Sequence, residues 1–432
     1  MLKRALWVDS TLKVVLAIAF LTSVLLTFGI FNLASNAGTG TTGVEDLQLQ
    51  NSLFQPRQFL YTDKSGDSYQ YNLSTKQEGK IIDLLSTAEF GSFREDEYNN
   101  RSLADLLSQP ETVVLHYSDV TPVAYFNGHS EDTNRHIKNK NFDYVIFSIH
   151  GGHNVYFVDS RQGTVNQTTF KQVNWHRIQA AVNDWGDSQP VIFAPIKNQI
   201  NVLYSQSFSR PVYTYQIHTS SVDDFNAAML GSVNQFSTSK VGDLQNYHNN
   251  YSGQSNTYHP NNQTLVFQSE NEVADPAKTY LGRLKVSFDQ LEVLKKELPN
   301  LGLFQSSDHG GTISFRTYVD NVPIFFDGGL PTLTSQIDDK GRRQATYKLE
   351  GLGIPAPNSE GQVKLDSTNT VLKKLNNSQK SENSYQQLMV GYVWQVNKDN
   401  KNLVDLVPTW MVQDKNGTWY SLDDYLERTQ TD

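Results

Sequence analysis

Residues 14–31, VVLAIAFLTSVLLTFGIF, run for eighteen positions without a charge. As a helix this stretch is about 27 Å long, close to the roughly 30 Å hydrocarbon core of a bilayer. Lys3, Arg4 and Lys13 precede it, and the first charge after it is Glu45. Basic residues on the short N-terminal side predict a cytoplasmic segment over 1–13, a single span over 14–31 and the bulk of the chain outside. A cleaved signal peptide is the alternative, with Ser35-Asn36-Ala37 as a small-residue cleavage site. An apolar core longer than the about 7–15 residues typical of a signal favours a retained anchor.

Within the span, Ala19, Ser23 and Thr27 recur every fourth residue with Thr22 beside them. Such a stripe of small, hydrogen-bonding side chains lets a second membrane helix approach closely. Residues 32–44 are rich in Gly, Thr, Ser and Ala and read as a flexible linker. The chain contains no cysteine, so disulfides and thiol chemistry are excluded. In an exported chain this large, that absence points to a bacterial source. The formal net charge of −9 offers no footprint for nucleic acid.

The remainder reads as α+β, with mainly antiparallel sheets and packed helices in three units: 45–207, 208–303 and 304–432. In the first, Ser102 is expected to start a helix with Leu103, Leu106 and Leu107 on one face, stopped before Pro110. Residues 112–117, 143–149 and 191–194 are strand-like. Thr169 is expected to cap a helix carrying Ile178, Ala181, Val182 and Trp185. In the second unit, 212–218 is a strand and Ser221 caps a helix bearing Val222, Phe225 and Met229. The Asn-, Ser- and Gln-rich stretch 236–263 has no clear period and reads as a surface insertion or mobile loop. Residues 264–268 form a strand, and Ser287-Phe-Asp-Gln290 resembles a capping box before Leu291, Leu294 and Leu298.

The third unit repeats the order of the second, which suggests two related domains. Residues 312–319 and 322–326 form a hairpin across Asp320-Asn321. Ser367 caps a helix with Val371, Leu372 and Leu375. Residues 389–396 and 403–412 pair, and Asn416-Gly417 turns the chain into 418–422. Trp394, Trp410, Trp419 and Tyr420 read as sheet core, with room for one at an interface.

Sites of chemistry are sparse. His150-Gly151-Gly152-His153 offers two imidazoles for a metal, but a zinc site needs a third and usually a fourth ligand, and no neighbouring motif supplies them. Gly-Gly between strands is also a hairpin turn. Asp308-His309-Gly310-Gly311 reads as a turn before a strand. His248 and His259 fall in the Asn-rich stretch. No G-x-S-x-G elbow, G-x-G-x-x-G fingerprint, P-loop or H-E-x-x-H motif occurs. No catalytic, cofactor-binding or metal-binding residue is therefore assigned.

The basic start, single span, cysteine-free α+β region and closing Pro408-Thr409-Trp410-Met411-Val412 and Asn416-Gly417-Thr418-Trp419-Tyr420 strands resemble the YycH family. Asp320-Asn321-Val322-Pro323-Ile324-Phe325 also resembles that family's turn into a strand. The resemblance implies a non-enzymatic, membrane-anchored regulator of the WalK/WalR two-component system of Gram-positive bacteria, which governs cell-wall homeostasis. It implies contacts with the sensor histidine kinase WalK and with a YycI-like membrane protein, no cofactor, and an N-terminal domain followed by two smaller related ones. Two alternatives stay open: an anchored extracytoplasmic sensor that binds a ligand, and a metal-dependent cell-envelope hydrolase using His150 and His153.

Overall fold

A computed structural model of the chain describes residues 52–431, apart from 129–139, 151–153, 198, 272–277, 295–297, 299, 308–309, 357–360 and 379–384. The apolar run 14–31, with Ala19, Thr22, Ser23 and Thr27, lies outside the described residues. Among those described, no helix is long and apolar enough to cross a membrane. The protein is a mixed α+β structure, rich in strands, with seven α-helices among the described residues.

Period-two alternation builds the first sheet, which has ten strands. Gln58–Thr62 and Thr112–Pro122 pair at its middle. Ser68–Tyr71, Ser188–Ile196 and Gln199–Tyr204 extend it on one side; Asn141–Ser148, Asn154–Asp159 and Thr164–Lys171 extend it on the other. Val113, Leu115 and Tyr117 pack on one face with Ile81 and Leu85 of helix Thr75–Ser86 and Ile178 and Val182 of helix Trp175–Val182. Val114 turns to the other face and joins Leu103, Leu106 and Leu107 of helix Asn100–Leu107. Successive side chains of one strand thus feed two cores.

Three expected helix starts are corrected. Asn99, not Ser102, caps the helix bearing Leu103, its side chain accepting from the amides of Arg101 and Ser102. Thr169 lies inside the strand Thr164–Lys171, and Asn174 caps the helix that follows. Ser287 lies in the middle of helix Tyr280–Val293, which Thr279 caps. Ser287 is buried and bonds Ser335 at 3.0 Å, so its polar side chain serves packing rather than a helix end. Ser221 and Ser367 cap helices Val222–Leu230 and Thr368–Asn377 as expected.

The second sheet has fourteen strands, and it absorbs the Asn-rich stretch. Residues 236–263 are not a loop: Phe236–Val241, Leu244–Asn249 and Gln254–His259 form an antiparallel meander that joins Thr264–Ser269. Their side chains are mostly exposed or half-buried, so the ladder is held by backbone pairing with little apolar patterning. Val241 pairs with Leu244 across Gly242, whose φ of 61° fits the glycine at the first central position of a type II′ hairpin. Asn226 and Asn256, both fully buried, hydrogen-bond each other at 2.8 Å beneath the meander.

From there the sheet continues through Arg343–Lys348, Leu333–Ile337, Thr312–Val319, Val322–Phe325, Tyr385–Val396 and Leu403–Asp414 to Tyr213–Thr219 and Glu350–Pro355. Asp320 and Asn321 take φ of 47° and 60°, the two left-handed residues of a type I′ hairpin. Val322–Phe325 then pairs in parallel with Tyr385–Val396. Trp394, Trp410 and Trp419 are buried and Tyr420 is half-buried. One apolar core runs on from Val114 and Tyr144 of the first sheet to Ile324, Tyr392, Trp394 and Trp410 of the second.

Candidate functional site

Where the two sheets meet, they line, together with residues 209–211, a partly open cavity of about 510 Å³. The first sheet supplies a wall of linked polar side chains. Gln58 donates to Gln70 at 2.9 Å and pairs with His116 Nδ1, while the Tyr204 hydroxyl donates to Gln70 at 2.8 Å. His116 stacks on Tyr144 with ring centres 4.3 Å apart, and burial pushes its imidazole down to about 3. It is therefore neutral at physiological pH. With Gln58 accepting at Nδ1, Nε2 is left as an acceptor.

The second sheet meets this wall through charged and polar contacts. Asp119, on the strand Thr112–Pro122, accepts from the Ser306 amide and hydroxyl, each at 2.5 Å, and from the Arg161 guanidinium. Burial raises the Asp119 carboxyl, and the Arg161 charge and the Ser306 donors pull it back toward ionisation. Ser118 and Tyr318 share a hydroxyl–hydroxyl bond of 2.9 Å, and Tyr280 donates to the Val120 carbonyl at 2.6 Å. Asn321, in the type I′ turn, donates to Glu78 on the first sheet's helix. Burial raises Glu78 to about 6.

Asp143 also lines the cavity and accepts from the Ser160 amide at 2.8 Å and from its hydroxyl. Burial outweighs those donors and pushes it up to about 7, from 3.8. Between those values the folded protein holds a proton that the unfolded chain has released. Its stabilising contribution is therefore complete below about pH 4 and is lost as pH rises through 7. Asp143→Asn is expected to remove this component, on the order of 2–4 kcal/mol. Urea midpoints at pH 4.5 and 8 measure it: the drop between the two should be smaller in the variant than in the wild type. An equal drop would contradict the assignment.

Three arginines line the same cavity: Arg161, paired with Asp119, and Arg57 and Arg210. Arg57 is 7% exposed; its guanidinium lies 3.9 Å over the Tyr318 ring and donates to the Ser52 carbonyl at 3.1 Å. Gly302 leaves room for it, since a Cβ there would sit 1.8 Å from Arg57 Nη2. Arg210 is likewise 7% exposed.

The residues singled out by sequence lie elsewhere. His150 lies just beyond the end of the strand Asn141–Ser148, its Nε2 3.1 Å from Glu111 and its Nδ1 3.2 Å from Gln179. His153 and Asp308-His309 lie outside the described residues. Among those described, no group of three or more His, Asp or Glu is placed to hold a metal ion. Arg57, Asp119, Asp143, Arg161 and Arg210 escaped the sequence reading because none belongs to a recognisable motif. The one signal was the polar pair Ser118-Asp119 interrupting an apolar strand.

Fold and junction define the class: a strand-rich α+β protein with two mainly antiparallel sheets meeting at a polar cavity. The model of the YycH protein's C-terminal domain matches residues 211–430, just over half of the 432 residues. The chain belongs to the YycH family and is a regulatory protein of that type. Its fold is similar to the crystal structure of YycH from Bacillus subtilis, with a TM-score of 0.69 and 14% identity over 86% of this chain and 96% of that one. No curated relative matches the chain.

Proposed function

We propose that this chain is a non-enzymatic, membrane-anchored accessory protein that regulates a WalK-like sensor histidine kinase of a cell-wall homeostasis system, together with a YycI-like membrane protein. The family match over residues 211–430 carries this reading, and the fold likeness across most of the chain supports it. In this reading residues 1–13 are cytoplasmic, 14–31 span the cell membrane, 32–44 are a linker, and the rest lies outside. The two sheets act as a rigid extracytoplasmic body. The face of the span bearing Ala19, Thr22, Ser23 and Thr27 is the surface that meets partner helices, since small residues allow close approach in lipid.

Replacing Ala19, Ser23 and Thr27 together with Leu tests the contact face. Leucine keeps the span apolar but adds bulk where a helix would pack. Co-purification with the kinase from solubilised membranes is expected to fall at least several-fold, with the protein still in the membrane fraction. Unchanged co-purification and unchanged signalling would remove the stripe from the mechanism.

A further inference from the structure

We propose that the cavity between the two sheets binds a small organic anion, with Arg210 receiving its carboxylate or phosphate group. This inference rests on the cavity alone and stands apart from the regulatory reading. Arg210 lies on the strand Phe208–Pro211, which pairs with Gln362–Leu365. Its guanidinium makes no hydrogen bond or ion pair with another described residue. The Nε is buried without a partner; the Phe208 ring lies 6.0 Å from the guanidinium, and the charge is also felt by Tyr392.

A buried cation without a counter-charge is costly, because the lost hydration is not replaced. Arginine's planar fork of donors suits a carboxylate or phosphate held in two-pronged fashion. Arg57, over its aromatic ring, adds a second buried positive charge on the same cavity.

Glu78 partly answers Arg57, but no carboxylate of the lining pairs with Arg210. Asp119 is committed to Arg161 and Ser306, Asp143 to Ser160, and Asp320 to the Tyr213 hydroxyl. The rest of the wall suits a polar body attached to the anion: amides at Gln58, Gln70 and Asn201 and rings at Tyr204 and Trp410. The volume, about 510 Å³, falls within the about 300–1,000 Å³ of small-molecule sites. The ligand class is a compact, hydrogen-bonding anion, of the size of a short peptide or a phosphorylated small molecule.

Thermal unfolding of the full chain in nanodiscs tests the proposal with three probes: triglycine, triglycine amide and inorganic phosphate. A ligand that binds only the folded state raises the midpoint as its concentration rises. A carboxylate site is expected to respond to triglycine and not to its amide; a phosphate site responds to phosphate. Arg210→Met should abolish the shift and raise the ligand-free midpoint, because an unpaired buried charge is gone. Asn201→Trp should block the shift by filling the cavity with its arginines intact. No shift with any probe at 10 mM, an equal shift in Arg210→Met, or a lower ligand-free midpoint in that variant would each overturn the proposal.

Discussion

Replacing Arg316 with methionine is expected to cost about 2–4 kcal/mol of stability, because carbonyls are left without their donor. Arg316 is 1% exposed and lies on the strand Thr312–Val319. Its guanidinium donates to the carbonyls of Ile324 at 2.9 Å, Leu330 at 2.8 Å and Gly329 at 2.7 Å. It also lies over the Phe325 and Phe304 rings, at 3.8 and 4.3 Å. Burial lowers it to about 9, so it remains charged at neutral pH. Methionine fills similar volume but strips the guanidinium donors from three carbonyls; that of Leu330 still accepts from the Phe326 amide, while those of Ile324 and Gly329 lose this donor. Arg316→Lys should rescue little, because a point charge cannot serve three carbonyls arranged around a planar fork. Urea unfolding followed by tryptophan fluorescence reads the loss, since Trp419 packs on Phe304 and Phe325 beside this guanidinium. A change under 1 kcal/mol in Arg316→Met would contradict this account of the C-terminal core.

Asp119→Ala is expected to cost a comparable amount, about 3–5 kcal/mol, through a different route. The carboxylate ties the first sheet to Ser306 of the second and neutralises Arg161. Alanine leaves the Ser306 amide and the guanidinium without it. The damage is expected to centre on the junction, so hydrogen exchange should quicken first along 118–122 and 301–306. The helix face at Ile81, packed on the core confined to the first sheet and its helices, should keep its protection. Uniform loss of protection across both sheets would mean that the two unfold as one and that Asp119 is not a local tie.

Helix faces and strand pairs were legible in the sequence because burial writes them there. Leu103, Leu106 and Leu107 share a face and are buried, and Asp320-Asn321 forms the expected two-residue turn. Helix starts were read less well, since serine and threonine occur inside helices and strands as often as they cap. Ser287 illustrates this: its spacing to Gln290 mimics a capping box, yet both are buried within one helix. The meander 236–263 was hidden because exposed polar strands leave no apolar period, though Gly242-Asp243 between them was a turn signal. The cavity was invisible for a deeper reason. Gln58, His116, Asp119, Arg210 and Tyr318 come from four strands far apart in the chain, and only the tertiary fold brings them together.

Site-specific photocrosslinking in intact membranes tests the central claim most directly. A photoreactive residue at position 19, 23 or 27 is expected to yield adducts with a sensor histidine kinase and a YycI-like protein. The same probe at position 21 or 25, on the opposite side of a helix, should yield far less. Adducts of equal strength from both sides, or none containing a sensor kinase, would contradict a regulator that works through its span.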